Sequence, residues 1–253
     1  DHRAADMPRP WTDDPVLRDY FFTNCFRELD PGTLVAMKIV QAWRPAWERL
    51  GNLILYRRLN REDTWRAIGG YVKAQNMKRL EKLLRAAPRP LFTGAHQVSA
   101  LQIVVPGRDV IERQVNMMRF MDKRRLAPLI NDLRRAVTAK EAYDAWLVAG
   151  IPGVGTFLSW QLALDSRYGL AEFSDHPWAP VPAGARAGLE IVLGTVGMSK
   201  DCMETEIVKL RHNVKNTRNL TVAAVEHSLC EYSKYHRITL GGHAKGKFNG
   251  RND

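Results

Sequence analysis

Cysteine is scarce in this sequence. Its 253 residues hold three, Cys25, Cys202 and Cys230, set far apart. That is too few for a disulfide framework and the wrong spacing for a four-cysteine metal cluster, and it suits a reducing compartment. Long apolar runs are missing too: no stretch approaches the roughly 20 residues of a membrane-crossing helix. Residues 1–15 are polar and proline-punctuated, without the apolar core of a signal peptide. The expectation is a soluble cytoplasmic chain with no membrane partner. There is no Gly-rich loop ending in Lys-Ser/Thr, no paired Cys/His zinc pattern and no His-Glu-x-x-His, so nucleotide hydrolysis and zinc chemistry lose support and no metal site is expected. No internal repeat is visible. Acidic residues are in deficit, 27 against 38 Lys and Arg, which gives a formal charge of +11 and a pI near 9.8. A polyanion is the natural partner of such a chain, nucleic acid first.

What is present is helical spacing. Apolar residues recur at intervals of three and four, as at Leu80, Leu83 and Leu84 or Leu126, Leu129, Ile130 and Leu133, with few alternating strand patterns. The spacing predicts helices over 15–28, 31–50, 61–68, 69–85, 108–120, 122–136, 138–148, 156–166, 183–195, 200–212 and 220–234, hence an all-α fold. Ala86-Ala-Pro-Arg-Pro90 and Val104-Val-Pro-Gly107 are breaks, and Val181-Pro-Ala-Gly-Ala-Arg-Ala-Gly188 reads as a glycine-rich turn leading into a helix. With 45% hydrophobic residues the chain can bury a full core as one domain, 1–253, or as two lobes, 1–107 and 108–240. The remaining residues, 241–253, form a basic glycine-rich tail, read either as flexible until Lys245 and Lys247 meet a phosphate backbone or as merely solvated.

Gly150-Ile-Pro-Gly-Val-Gly-Thr156 reads as the hairpin of a helix-hairpin-helix. Gly153 and Gly155 permit positive backbone angles and close approach of a phosphate to the N–H groups that a helix starting at Thr156 leaves unpaired. A corner that uses glycine for packing alone is the competing account.

Four constellations carry ionisable groups. Gln161, Asp165 and Tyr168 stand four and three apart, on one helical face, where a carboxylate can act as a base. An amphipathic helix with a polar side explains them equally. Asp175-His176 lies 20 residues beyond Gly155. In residues 226–237, His227, Glu231 and Lys234 project together with Cys230 between them, a crowding that can activate a thiol, or simply a charged helix with a buried cysteine. Asn24, Arg27 and Asp30 fall on neighbouring turns among aromatics, a combination that suits a phosphate or an extruded base, although a helix tied into the core by its aromatics is simpler.

The hairpin and the position of Asp175 resemble helix-hairpin-helix DNA glycosylases. The lysine of the bifunctional enzymes is replaced by Thr156 and Phe157, and the iron-sulfur cysteines are missing. A closer resemblance is to the alpha-glutamyl/putrescinyl thymine pyrophosphorylases, a glycosylase-related group of phages that hypermodify thymine. It rests on Pro10-Trp-Thr-Asp-Asp-Pro15, Phe22-Thr-Asn-Cys-Phe-Arg-Glu-Leu-Asp30, Gly150 through Tyr168, Pro182 to Gly188 with Ala183 in place of glycine, and Leu229-Cys-Glu-Tyr-Ser-Lys-Tyr-His-Arg237.

The resemblance implies a glycosylase-like helical fold and a transferase of the infected host's cytoplasm. After a separate kinase has pyrophosphorylated hydroxymethyluracil in DNA, the enzyme displaces pyrophosphate with a free amino acid or polyamine. Double-stranded or locally opened DNA is the other partner. No cofactor is required, although a divalent cation can assist pyrophosphate departure. Asp165, Glu231, Lys234, Arg237 and Cys230 are the candidate catalytic residues. Asn24, Arg27, Gln161, Tyr168, His227 and Asp175 are the candidate substrate contacts, and Gly153, Gly155, Thr156, Lys245 and Lys247 the candidate DNA contacts. Of the two aspartates Asp165 is favoured over Asp175, and direct displacement over a covalent Cys230 adduct. A glycosylase, a silent binder of altered bases and a structural DNA-binding module are the alternatives.

Overall fold

The computed structural model describes residues 12–73, 76–93, 105–173, 177–214 and 220–243. Among them every regular element is helical, twelve α-helices and one 3-10 turn with no strand, as the spacing of apolar residues predicts. No described helix is long and apolar enough to cross a membrane. The chain divides by internal contact into a unit of Glu28–His176 and a unit of Asp1–Arg27 with Pro177–Asp253.

The first unit holds α2 (Pro31–Gln41), α3 (Ala46–Leu59), α4 (Glu62–Ala67), α5 (Met77–Ala86), α6 (Val110–Arg119), α7 (Lys123–Arg135), α8 (Ala139–Val148) and α9 (Thr156–Ser166), counting α1 as the helix of the other unit that precedes them. Short polar side chains start several of these helices by accepting from the first-turn amides: Asp30 at Thr33, Asp109 at Glu112, Asp122 at Arg125 and Thr138 at Glu141. The apolar stripes face inward, with Leu80, Leu84, Leu126, Leu129 and Leu133 all buried. Two helices depart from the amphipathic pattern. On α3 every residue from Leu50 to Leu59 is buried, and on α9 every residue from Leu158 to Ser166. These two form the inside of the unit.

The second unit pairs the start of the chain with its last helices: α1 (Pro15–Asp19), α10 (Ala183–Leu193), α11 (Lys200–Asn213) and α12 (Val222–Thr239). The crossing of α10 on α12 is close because of two glycines one turn apart. A Cβ built on Gly184 would lie 2.4 Å from the Cys230 sulfur, and one on Gly188 would lie 1.9 Å from the Leu229 carbonyl oxygen. The glycines of the Pro182–Gly188 stretch are therefore helical contact residues, and Ala183 simply opens the helix.

Several helix boundaries differ from the sequence expectation, and α12, expected over 220–234, runs on to Thr239. The helix expected over 15–28 stops at Asp19, because Tyr20 is extended and the Asn24 side chain accepts from the Phe26 amide at 2.9 Å, turning the chain locally. Asn24, Arg27 and Asp30 thus do not share a helical face, and Asp30 caps α2 instead. The helix expected over 31–50 is cut at Ala42–Pro45, since a proline removes an amide and holds the residue before it extended. The helix expected over 69–85 starts at Met77, because Gly69 and Gly70 take φ of 84° and 70° as they terminate α4.

Candidate functional site

The hairpin joins α8 to α9 in the first unit. Gly150 follows the last turn of α8 with φ 57°, and the amide of Val154 then donates to the Ile151 carbonyl at 2.9 Å across Pro152 and Gly153. Proline followed by a glycine at φ 75° is the pattern of a type II turn. Gly155 is different from the expectation. Its φ is −91°, which any residue adopts, and a Cβ there would meet nothing within 4 Å. The fold itself thus gives no reason for glycine at 155. No side chain caps the N-terminus of α9, which begins at Thr156.

Behind this turn lies a cation that the sequence reading missed. Arg58 of α3, 2% exposed, donates Nη1 to the Gly153 carbonyl at 2.6 Å and Nε to Gln114 Oε1 at 2.9 Å. Its Nη2 is buried without a hydrogen-bond partner, and among the described residues it forms no ion pair. Burial without a carboxylate pushes its pKa down to about 10.

Its neighbour Arg57 turns to Asp165. Nε and Nη2 of Arg57 reach Oδ2 and Oδ1 of Asp165 at 2.6 and 2.9 Å, a bidentate pair with side chains 5% and 0% exposed. Burial would lower the Arg57 pKa, but the Asp165 charge and hydrogen bonds outweigh it and hold the guanidinium firmly protonated. Asp165 therefore joins α9 to α3, with Gln161 buried one turn before it. Tyr168 lies past the end of α9, so the shared helical face does not extend to it. Its hydroxyl donates to Glu28 at 3.0 Å, beside an ion pair between Glu28 and Arg167. Partial burial pushes the Glu28 carboxyl up, but hydrogen bonds from its own amide and Tyr168, with the charge of Arg167, hold it below its ordinary value.

In the second unit, two segments about 200 residues apart in sequence lie side by side. Lys234 of α12 donates to the Phe21 carbonyl and to Glu231 (3.1 Å), and its ammonium sits 4.4 Å from the Phe22 ring centroid. The Thr23 hydroxyl donates to Glu231 at 3.2 Å, and Arg27 Nη1 lies 3.5 Å from His227 Nε2, itself 3.7 Å from the buried Glu226 carboxylate. Tyr235 donates to Asp14 at 2.6 Å. Arg27, His227, Glu231 and Lys234 are thus brought together, while Arg237 stands exposed in the last turn of α12. Cys230 is turned toward Gly184, and burial first, with the nearby Glu226 and Glu231 charges, pushes its thiol up to about 11. Such a thiol is almost wholly protonated at neutral pH. Asp175, Lys245 and Lys247 lie outside the described residues.

Sequence reasoning missed Arg57 and Arg58, although a signal was there. Two adjacent arginines interrupt the run Leu53-Ile-Leu-Tyr56 and are followed by Leu59, so a helix through them buries at least one.

Comparison with known proteins adds a family. A family model described as "5-hmdU DNA kinase, helical domain" matches residues 1–244. A 5-hmdU DNA kinase of Bacillus phage SP10 is 28% identical over an alignment of 280 residues that covers 94% of this chain and 43% of the relative. The chain therefore spans less than half the length of that kinase. No solved structure matches.

Proposed function

Because the chain belongs to the family of the helical domain of 5-hmdU DNA kinases, we propose that it holds DNA containing 5-hydroxymethyluracil and presents the modified base for chemistry at its exocyclic methylene. The observation that carries this reading is the hairpin with Arg58 behind it. A buried guanidinium without a carboxylate leaves positive charge under a turn whose helix end is uncapped, and a glycine at 155 with no internal purpose leaves room for a DNA phosphate. Thr156 opens the helix at that point, and Gly153 shapes the turn. In the second unit, Arg27, His227, Glu231 and Lys234 form a charged cluster suited to the altered base and its phosphates.

Two reactions fit this role. In the first, the chain supplies the acceptor side of the phosphorylation named by its relative, with the hydroxymethyl oxygen as nucleophile. The second is displacement of pyrophosphate from the phosphorylated methylene by the amine of an amino acid or polyamine. Residues 22–27 and 229–237, within the stretches that carry the resemblance to thymine pyrophosphorylases, lie against each other, and this favours the second reaction. Arg27 and Arg237 then neutralise the departing pyrophosphate, alone or with a divalent cation, and Glu231 or His227 takes the ammonium proton.

Duplexes carrying thymine, 5-hydroxymethyluracil or its pyrophosphorylated form at one site test this directly. Tighter binding to either altered duplex than to thymine is expected. Nucleoside mass spectrometry after incubation with ATP, or with a panel of amines, assigns the reaction. Equal binding to all three duplexes with no product in either incubation refutes the proposal.

A further inference from the structure

The corner between α2 and α3 holds a tryptophan that the fold does not use. Trp43 is 100% exposed, whereas Trp65, Trp146 and Trp160 are 8%, 0% and 1% exposed. The corner is braced. Arg49 donates to the Val40 carbonyl at 2.6 Å and to the Gly169 carbonyl at 3.1 Å, the Arg44 amide donates to the Ala42 carbonyl at 2.7 Å, and the Arg44 guanidinium lies 5.8 Å from the Tyr71 ring centroid. Pro45 then starts α3. The indole is therefore held out from a fixed base.

Beside the corner opens a cavity of about 620 Å³, lined among others by Ala42, Lys38, Trp65, Arg66, Gly69 and Tyr71. Lys38 lines it and Arg44 lies over its Tyr71, both are exposed, and neither forms an ion pair among the described residues. Glu62, the acid of the cavity wall, is engaged by Arg66 at 2.9 Å. Two cations without a described ion pair, Lys38 and Arg44, thus stand at the rim beside one flat aromatic at its edge, with Glu48 as the other carboxylate acting on Tyr71. Protein contact surfaces centre on contiguous apolar area and are depleted in lysine. An isolated aromatic among unpaired cations is instead the composition that binds single-stranded nucleic acid, where bases stack on the ring and phosphates meet the cations.

We propose that Trp43 is a stacking platform for an unpaired nucleobase of DNA, with Lys38 and Arg44 facing the adjoining phosphates. The proposal rests on the DNA-binding reading above and adds to it a second contact, specific for opened strands and separate from the hairpin.

The experiment compares the 253-residue chain with Trp43→Ala, Trp43→Leu and Trp43→Phe, using a fluorescein-labelled oligothymidylate of 20 nucleotides and a fully paired 20-bp duplex as probes. Stacking predicts a roughly 5- to 100-fold loss of single-strand affinity in the Ala and Leu variants. The Phe variant keeps most of the affinity, duplex binding changes less than single-strand binding, and Tm is unchanged because a fully exposed side chain holds nothing in place. Unchanged single-strand affinity in Trp43→Ala, or an equal loss in the Phe and Leu variants, overturns the platform while duplex binding leaves the DNA reading standing. Failure of the parent chain to bind either probe overturns both. Self-association in sedimentation that disappears in Trp43→Ala, with DNA affinity intact, overturns it in favour of a contact between copies.

Discussion

Replacing Asp165 by Asn decides whether its carboxylate does chemistry or holds the first unit together. The change keeps the shape of the side chain but turns one oxygen into an NH2 group that faces a guanidinium N–H, so one of the two bonds at 2.6 and 2.9 Å becomes donor against donor. Arg57, with its side chain 5% exposed, is left as a buried charge without its carboxylate. Thr33 Oγ1 and Asn60 Oδ1, both at 3.3 Å, are neutral acceptors, and the Asp30 charge that also favours the guanidinium makes no bidentate pair with it. Removing one partner of a buried pair costs about 3–5 kcal/mol. At about 2–4 °C per kcal/mol for a chain of this size, Tm should fall by roughly 6–20 °C. Removing both charges with Arg57→Met and Asp165→Leu should recover most of that loss, since an apolar pair of similar volume is often neutral or better. Thermal unfolding followed by circular dichroism at pH 7 reads both effects, alongside turnover on modified DNA. An Asp165→Asn protein that melts with its parent but has lost turnover refutes the anchoring argument and returns the carboxylate to the reaction.

Gly184→Ala should destabilise by about 1–3 kcal/mol, the usual range for overpacking, and Cys230→Ala should rescue it by removing the sulfur 2.4 Å from the new Cβ. Gly188→Ala should not be rescued in this way, because its new Cβ meets backbone, and equal rescue in a thermal unfolding cycle would contradict the close helix crossing. The Cys230 thiol, raised from 9.0 to about 11, should have roughly a hundredfold smaller thiolate population than an ordinary thiol. At pH 8 iodoacetamide should therefore label exposed Cys202 well before Cys230, as peptide mass spectrometry would register. A raised folded pKa means that this group's contribution to stability is complete below pH 9 and declines as pH rises toward about 11, a decline that Cys230→Ala should lessen. Gly155→Val should leave Tm within a degree or so, because φ is −91° and the space is open, yet weaken duplex binding at physiological salt; unchanged binding would remove the hairpin from the DNA interface. Gly153 is unsuited to this test, since its φ of 75° makes any substitution a folding change first.

Local signals carried much of the fold. Helix starts expected at 108, 122, 138, 200 and 220 lie close to those the structure has, where Asp109, Asp122, Thr138, Ser199 and Thr221 cap the first turns. The leucine spacing identified the buried faces of α5 and α7. Some failures were local, at Pro45 and at Gly69-Gly70; others came from contacts that no local window contains. Residues 20–26 have a helix-compatible composition, but the Phe21 carbonyl is taken by Lys234, 213 positions away, and the segment stays extended. Gln161 and Asp165 read as the polar side of an amphipathic helix because nothing in their neighbourhood announces Arg57, 108 positions earlier. In the candidate site, the charged residues of 226–237 and Arg27 were legible as groups. Their meeting was visible only through the resemblance, which placed both segments in one family pattern. Trp43 went unremarked because exposure is a property of the fold.

The joining of residues 14–27 to α12 has a consequence for how the chain is made. Residues 28–176 are continuous, so that unit has all its own parts while later residues are still being synthesised. The opening segment must wait for partners 208 to 221 positions downstream. At about 5–20 residues per second, that is a delay of roughly 10–40 s. Throughout it Phe21 and Phe22 lack their native partners on α12, and a stretch made before the first unit takes its place only after that unit is complete.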